Sequence, residues 1–386
     1  MSETQEAHVE RPMTRFQRVI LGLALLLHLP WVFWLAHGVD RRMNLPTLIE
    51  TMLLTALLAL SMVLFWGRAK WVMDDVPREP WLVRLIDLPY FVHLAALVLA
   101  FVPALIGSVL LILHLVPASA LGWIYGGCYA LAAYGVLWRR LHFVVREGDV
   151  TMPGLPAELD GLRVAHLSDL HLGGMLSRAR ALRWIDATHA AKPDLVVLTG
   201  DYVTSGVAFH EDITYVIGEL RAPLGVFASL GNHDYFGGGE PMITLLRERG
   251  VRVLRNQGVA IERGGGSMYL AATDDVWTQR ADLDQTLAGW DPQKMPCLLL
   301  AHDPDLFVPA AQRGVQLTLS GHTHGGQLAI PFFARWLSLS HFAHRFHLGF
   351  YRRDAATLYV SPGHGTTGLP LRIGTTPTIA IHVLRA

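Results

Sequence analysis

The sequence predicts an α/β domain over residues 150–386, preceded over 1–149 by an all-α membrane bundle of about four transmembrane helices. Three observations carry that prediction. Apolar runs too long for ordinary core helices crowd the first 149 residues. After residue 150, short apolar strands alternate with helical stretches at the length of strand–helix–strand units. Acidic or imidazole side chains follow one strand after another in that half, most densely in Ser320-Gly321-His322-Thr323-His324-Gly325-Gly326-Gln327.

Charge is balanced, with 32 Lys+Arg against 32 Asp+Glu, and neither half carries a basic run or an Arg/aromatic patch. Nucleic acid is therefore not an expected partner. The two cysteines, Cys128 in an apolar run and Cys297 at a buried strand, form no disulfide framework and fit a reducing compartment.

The expected spans are roughly 19–36, 47–66, 89–116 and 118–138. About 20 helical residues cross a ~30 Å hydrocarbon core. His28 and Pro30 interrupt the first span, but three more follow and no small-residue cleavage site marks a signal peptide. Arg11, Arg15, Arg18, Arg68, Lys70, Arg78, Arg84, Arg139, Arg140 and Arg146 flank one side of the spans; only Arg41 and Arg42 flank the other. Ten against two places both ends, and the C-terminal domain, in the cytoplasm. Glu50 is the one acidic or basic residue within the spans, so the bundle is expected to anchor and not to transport. Trp31, Trp34, Trp66, Trp71 and Trp123 are expected in interfacial belts.

Residues 139–162 connect the halves, punctuated by Gly148, Pro153, Gly154 and Pro156. A strand at Arg163–Ser168 then delivers Asp169 and His171 to the loop beyond it. Ser177–Ala190 has helical spacing, and the β-branched run Leu195–Thr199 ends in Gly200-Asp201. A helix at about 210–220 leads to strand Val226–Leu230, which ends in Gly231-Asn232-His233-Asp234. Pro296–Ala301 ends in His302, and Gln316–Ser320 ends in the pair His322 and His324. Sites in open α/β sheets form at the carboxyl ends of strands. One such residue has an ordinary structural explanation, since Asp and Asn cap helices and His bonds to backbone. Seven at five strand ends do not: Asp169, His171, Asp201, Asn232, His302, His322 and His324.

Carboxylate and imidazole donors without thiolate suit Mn, Fe or Zn. Seven exceed one tetrahedral ion and suit two divalent ions about 3.5–4 Å apart, which acidify water and clamp phosphoryl oxygens. His233 is expected to give a proton to the leaving oxygen, with Asp234 holding its tautomer. Arg372, in Pro370-Leu371-Arg372, is expected at a phosphate or else as a surface arginine.

These blocks resemble the calcineurin-like metallophosphoesterase superfamily over about residues 150–386, through Asp169-Leu170-His171, Gly200-Asp201, Gly231-Asn232-His233-Asp234, His302 and Gly321-His322-Thr323-His324. Leu159–Arg163 and Gly326-Gln327 resemble a membrane-associated bacterial branch that includes phosphodiesterases and UDP-2,3-diacylglucosamine pyrophosphatases. The resemblance implies an αββα sandwich of two sheets. It also implies Asp169, His171 and His324 on one ion, Asn232, His302 and His322 on the other, and Asp201 bridging. Metal-dependent hydrolysis of a phosphoester or pyrophosphate follows from it, with Mn foremost, at the bacterial inner membrane. The implied substrate is phosphorylated and lipid-linked, such as a UDP-linked acylated sugar; small soluble phosphoesters are the alternative. A non-catalytic scaffold on the same fold is disfavoured, because no ligand position is missing. Ser361-Pro362-Gly363-His364-Gly365 departs from the family pattern, which is apolar at His364. Finally, Phe332, Trp336, Leu339 and Phe342–Phe346 recur near helical spacing with Arg335 and Arg345 interleaved, which predicts an interfacial helix, with part of 331–351 in the core.

Overall fold

The computed structural model describes residues 15–43, 47–72 and 77–386; Arg11 and residues 44–46 of the expected outer loop lie outside the described residues. The described chain forms two compact units. One holds the residues up to 72 together with Val92–Ala132, and the other holds 77–91 with Ala133–Ala386.

Four long helices occupy the first part of the chain: Arg15–Met43, Thr47–Val72, Pro80–Ile112 and Ala118–Leu141. Among the described residues, two of these are long and apolar enough to cross a membrane, Pro80–Ile112 and Ala118–Leu141, and not the expected four. The other two contain the shorter apolar stretches Gly22–His37 and Thr51–Phe65. Trp31 packs edge-on to Tyr125 at 4.8 Å, and the Trp34 indole donates to the Ala118 carbonyl at 3.2 Å. Trp31 and Trp34 therefore face neighbouring helices, whereas Trp123 is exposed and the side chains of Trp66 and Trp71 lie outside the described residues.

The second unit is built on two six-stranded mixed sheets. In the first, β1 (Val144–Thr151), β12 (Thr378–Arg385), β2 (Arg163–Leu167), β3 (Leu195–Thr199), β4 (Val226–Ser229) and β5 (Arg252–Val253) lie side by side in that order. Only the β12–β2 pairing is antiparallel. In the second the order is β10 (Gly349–Arg353), β11 (Ala356–Val360), β9 (Leu317–Ser320), β8 (Cys297–Leu300), β7 (Gly266–Ala272) and β6 (Gln257–Arg263). Residue 150, the expected start of the catalytic half, falls inside β1.

Alternation along the strands fixes the layers. Leu195 and Val197 of β3 join Val164, Phe227, Leu270, Leu298, Leu317 and Leu319 in a core between the two sheets. Val196 and Leu198 turn the other way, against Trp184, Ile185, Ile213, Ile217, Ile243 and Leu246 of the covering helices Arg178–Ala190, His210–Gly218 and Glu240–Glu248. Leu283–Leu287 and the helix Phe307–Gln312 cover the far side of the second sheet. Each fully buried Leu, Ile or Val contributes about 1.5–3 kcal/mol, so both faces of β3 are committed. Helix, sheet, sheet, helix is the expected sandwich. Because β2, β3 and β4 run parallel in one sheet and β8 and β9 run parallel in the other, their carboxyl ends supply five loops.

The stretch 331–351 is not the expected interfacial helix. After Leu328 bridges Ile373, the chain turns back on itself, with Ala329 bridging Ser338 and the Ile330 amide donating to the Leu337 carbonyl at 2.9 Å. Pro331 and a left-handed Phe332 (φ 67°) prevent a helix at the turn. One 3₁₀ turn at Leu339–Phe342 is the only helical piece among the described residues of the segment.

Candidate metal centre

The five loops converge. Ligand atoms of Asp169, His171, Asp201 and His324 lie within 4.8 Å of one another, as do those of Asp201, His302 and His322. Asp201 belongs to both groups. His171 Nε2 is 3.0 Å from His324 Nε2, and Asp201 Oδ2 is 3.5 Å from His171 Nε2 and 3.1 Å from His302 Nε2. His322 Nδ1 is 3.3 Å from His302 Nε2. Asn232 is buried at the end of β4, and its neighbour Gly231 lies against the Asp201 carboxylate and the His302 ring, both of which a Cβ there would overlap. Gly321 likewise abuts the Asp169 carboxylate. These two glycines are backbone clearance for ligands.

Local geometry aims each donor. Asp169, His171, Asp201, His322 and His324 all have φ between 45° and 72°, the left-handed region that non-glycine residues rarely enter. The His302 Nδ1 group donates to the Thr199 carbonyl at 2.6 Å, which leaves Nε2 for the site. The His322 amide donates to Asp169 Oδ1 and the His233 amide to Asp201 Oδ1, each at 2.9 Å, fixing both carboxylates.

Burial, reinforced by neighbouring cations, holds His171 down to about 3 and His322 to about 4, and keeps His324 well below its usual value, so these imidazoles present lone pairs. Burial also raises Asp169 to about 6, with the adjacent Asp201 carboxylate adding to it. Burial opposes charge on His302, but the Asp201 and Asp169 carboxylates outweigh it and hold that imidazole at about 10. Two carboxylates, four imidazoles and an amide in one buried pocket call for a cation. Asp169 Oδ2 and Asn232 Oδ1 are buried without a hydrogen-bond partner in the protein, which buried polar atoms seldom are. The residues present therefore fit divalent metal.

Two expected roles fall differently. The Asp234 carboxylate does not orient His233. It accepts the backbone N–H groups of Asp201, Tyr202 and Gly231 at 2.8, 2.7 and 2.9 Å, tying the loop after β3 to the loop after β4. The His233 tautomer is set instead by the Thr204 carbonyl, which accepts from Nδ1 at 2.5 Å. Arg372 is not the surface arginine of the alternative expectation. It is fully buried, with Nη2 donating to the carbonyls of Pro362 and Gly365 at 2.7 Å and Nη1 to that of His324 at 3.4 Å. His364 is also inside, its Nδ1 donating to the Ser168 carbonyl at 2.9 Å. Of the expected set, only His233 and His322 are half-buried, which puts them at the mouth. Around that mouth stand residues that no motif marks. The rings of Trp277 and His344 lie 5.3 and 5.5 Å from that of His322, and Phe236 lies 4.9 Å from His233.

Residues 162–326 match the family model of calcineurin-like phosphoesterases. The chain is 30% identical over 266 residues to YkuE, an uncharacterised metallophosphoesterase of Bacillus subtilis, covering 68% of this chain and 91% of that one. It is 32% identical over 269 residues to a transmembrane protein with a metallophosphoesterase domain from Danio rerio, covering 66% of this chain and 60% of the relative. The chain thus spans less than two thirds of the zebrafish relative's length. Among solved structures, a 5′-nucleotidase precursor from Thermus thermophilus aligns with a TM-score of 0.36 at 16% identity, over 58% of this chain and 54% of that one, a likeness too weak to bear on function. With most of the Bacillus protein matched and the strand-end ligands gathered in one pocket, this chain belongs to the calcineurin-like metallophosphoesterases.

Proposed function

We propose that the protein is a membrane-tethered phosphohydrolase using two divalent metal ions, and the observation that carries this is Asp201, shared by two convergent ligand groups. Asp169, His171 and His324 would hold one ion, Asn232, His302 and His322 the other, and Asp201 both. The donor set suits Mn, with Fe or Zn as alternatives. When bound, such ions acidify water toward neutral pH and neutralise phosphoryl charge.

The chain's own residues supply the rest. The half-buried His233, its Nδ1 engaged by Thr204, keeps Nε2 free beside the His171 ring, 4.8 Å away, to pass a proton to a leaving oxygen. Asp234 fixes the two loops that carry Asp201 and Asn232. Trp277, Phe236 and His344 frame the approach and favour a substrate with an apolar or aromatic part beside its phosphate.

The reading includes an anchor over 1–149 of four spans, a catalytic half over 150–386 facing the cytoplasm of a bacterial inner membrane, and a lipid-linked substrate such as a UDP-linked acylated sugar. The charge count around the spans and the transmembrane naming of the zebrafish relative support the membrane part. A cysteine placed at 38–46 should be labelled from outside intact cells; labelling of one at 150–160 instead would reverse the orientation. Purified protein with Mn should hydrolyse a lipid-linked nucleotide diphosphate. Turnover confined to a soluble phosphodiester or phosphomonoester would replace the lipid reading with the small-substrate one. No turnover of any of them by Mn-loaded protein would refute hydrolysis.

A further inference from the structure

The hairpin that leaves the metal loop ends in an apolar tip that the protein does not cover. Phe332 is 97% exposed, Phe342 80%, Trp336 60%, Ile330 53% and Phe333 52%. Phe332 also holds a left-handed backbone, so a bulky aromatic is presented outward at a strained position. The same stretch does bury what belongs inside, since Phe346 packs edge-on to Phe307 at 5.5 Å. An exposed cluster of large apolar side chains marks an interaction surface.

The roots of the hairpin identify its partner. On one limb the Ala329 amide donates to the Ile373 carbonyl at 2.8 Å, and the Ile373 amide donates to the Gln327 carbonyl at 2.9 Å. Residues 371–376 in turn sit on the last turns of the helix Ala118–Leu141. Gly135 lies directly against Leu371 and Ile373, the Arg372 amide donates to the Gly135 carbonyl, and Arg139 donates to the Thr376 hydroxyl. On the other limb the Ser340 hydroxyl donates to the carbonyl of Thr323, the residue between His322 and His324, at 3.3 Å. The tip thus emerges between the end of a membrane-length helix and the metal loop. Phenylalanine and tryptophan in such a place suit the boundary between headgroups and acyl chains.

We propose that the tip of hairpin 329–338, with Phe342, inserts into the bilayer interface beside the end of helix Ala118–Leu141 and sets the metal centre to take phosphoryl groups from membrane amphiphiles. This rests on the reading that Pro80–Ile112 and Ala118–Leu141 cross a bilayer.

The test uses the full chain reconstituted in phosphatidylcholine vesicles carrying nitroxide-labelled acyl chains, with an environment-sensitive fluorophore on one introduced cysteine. Phe332→Cys and Phe342→Cys report the tip, Val102→Cys (61% exposed) reports the middle of a span, and Lys294→Cys is the aqueous control. The unsubstituted chain, labelled identically, gives the background of Cys128 and Cys297. Nitroxide lipid should quench Phe332→Cys, Phe342→Cys and Val102→Cys at least two-fold and leave Lys294→Cys unchanged. Quenching at Val102 without quenching at the tip overturns the hairpin assignment and leaves the spans standing; a blue-shifted but unquenched tip would mean that protein covers it. An unquenched Val102 overturns both.

Discussion

Asp234→Ala separates a structural role for this carboxylate from the catalytic one that its position after His233 suggests. The carboxylate accepts three buried backbone N–H groups, from Asp201, Tyr202 and Gly231. Leaving a buried donor unpaired costs about 1–3 kcal/mol, so three of them amount to about 3–6 kcal/mol once water entering the gap offsets part of the loss. That is a large share of the 5–15 kcal/mol by which a typical domain is stable. At about 2–4 °C per kcal/mol for a domain of this size, the unfolding midpoint should fall by at least 6 °C. The loops carrying Asp201 and Asn232 should loosen with it, so bound metal should drop below the wild-type content. The assay is thermal unfolding of the purified chain in Mn, paired with metal content per chain. A variant that unfolds within 2 °C of wild type and keeps its metal, yet loses activity, would refute this account and return Asp234 to His233.

The remaining predictions test other parts of the site. His233→Ala should keep full metal content and lose about 10²–10⁴ in rate, whereas Asp201→Ala should lower bound metal as well; metal loss in His233→Ala would make that histidine a ligand. Arg372→Met leaves the carbonyls of Pro362 and Gly365 unpaired and should destabilise by about 2–5 kcal/mol, read as a lower unfolding midpoint; a rise in KM without any change in stability would instead place Arg372 on the substrate. Burial holds the imidazole of His382 down to about 3 against 6.5 unfolded, so its contribution is fully present above about pH 6.5 and is lost as pH falls toward 3, at about 1.4 kcal/mol per unit. His382→Leu should therefore lose about 2 kcal/mol less than wild type between pH 7.5 and 5 in denaturant titrations. Chelating the divalent ions should lower the midpoint by about 5–10 °C, the effect of a ligand present at about a hundred times its Kd.

The strands that carry the site were legible because each alternates toward two cores and stops at a ligand. Leu195–Thr199 was placed to the residue, and the Arg163, Val226, Cys297 and Leu317 strands to within one or two. Among the remaining strands β6–β7 and β10–β11 are local hairpins, but the edge strand β1 is paired over a distance that leaves no local trace. β1 lies parallel to β12, Val144 opposite Thr378, and nothing near residue 144 announces a partner 234 positions away. The same holds within the site. The ligands stand in motifs, but the carbonyl that sets the His233 tautomer belongs to Thr204, 29 residues earlier. The rim residue Trp277 reaches His322 from a loop without regular structure. In the helical half, two of the four expected spans coincide, among the described residues, with helices of membrane length and apolarity, Pro80–Ile112 and Ala118–Leu141.

The strained ligands explain why the supporting hydrogen bonds are so dense. A left-handed non-glycine residue costs about 1–2 kcal/mol, so the five together store on the order of 5–10 kcal/mol, as much as a whole domain's stability. Such a set persists only where the surroundings over-determine it. Here the carboxylates of Asp169 and Asp201, like that of Asp234, accept backbone N–H groups from a neighbouring loop, so two of the proposed ligands also tie loops together. Arg372 closes the arrangement from beneath, joining the Pro362–Gly365 turn to His324. Left-handed backbone at Asp169 and His171, and at His322 and His324, turns the chain sharply just past the strand end, so that each loop brings two donors into one pocket. The strain is thus the local consequence of drawing ligands from loops at five strand ends into one pocket, and the metal is the remaining partner that the buried Asp169 and Asn232 oxygens require.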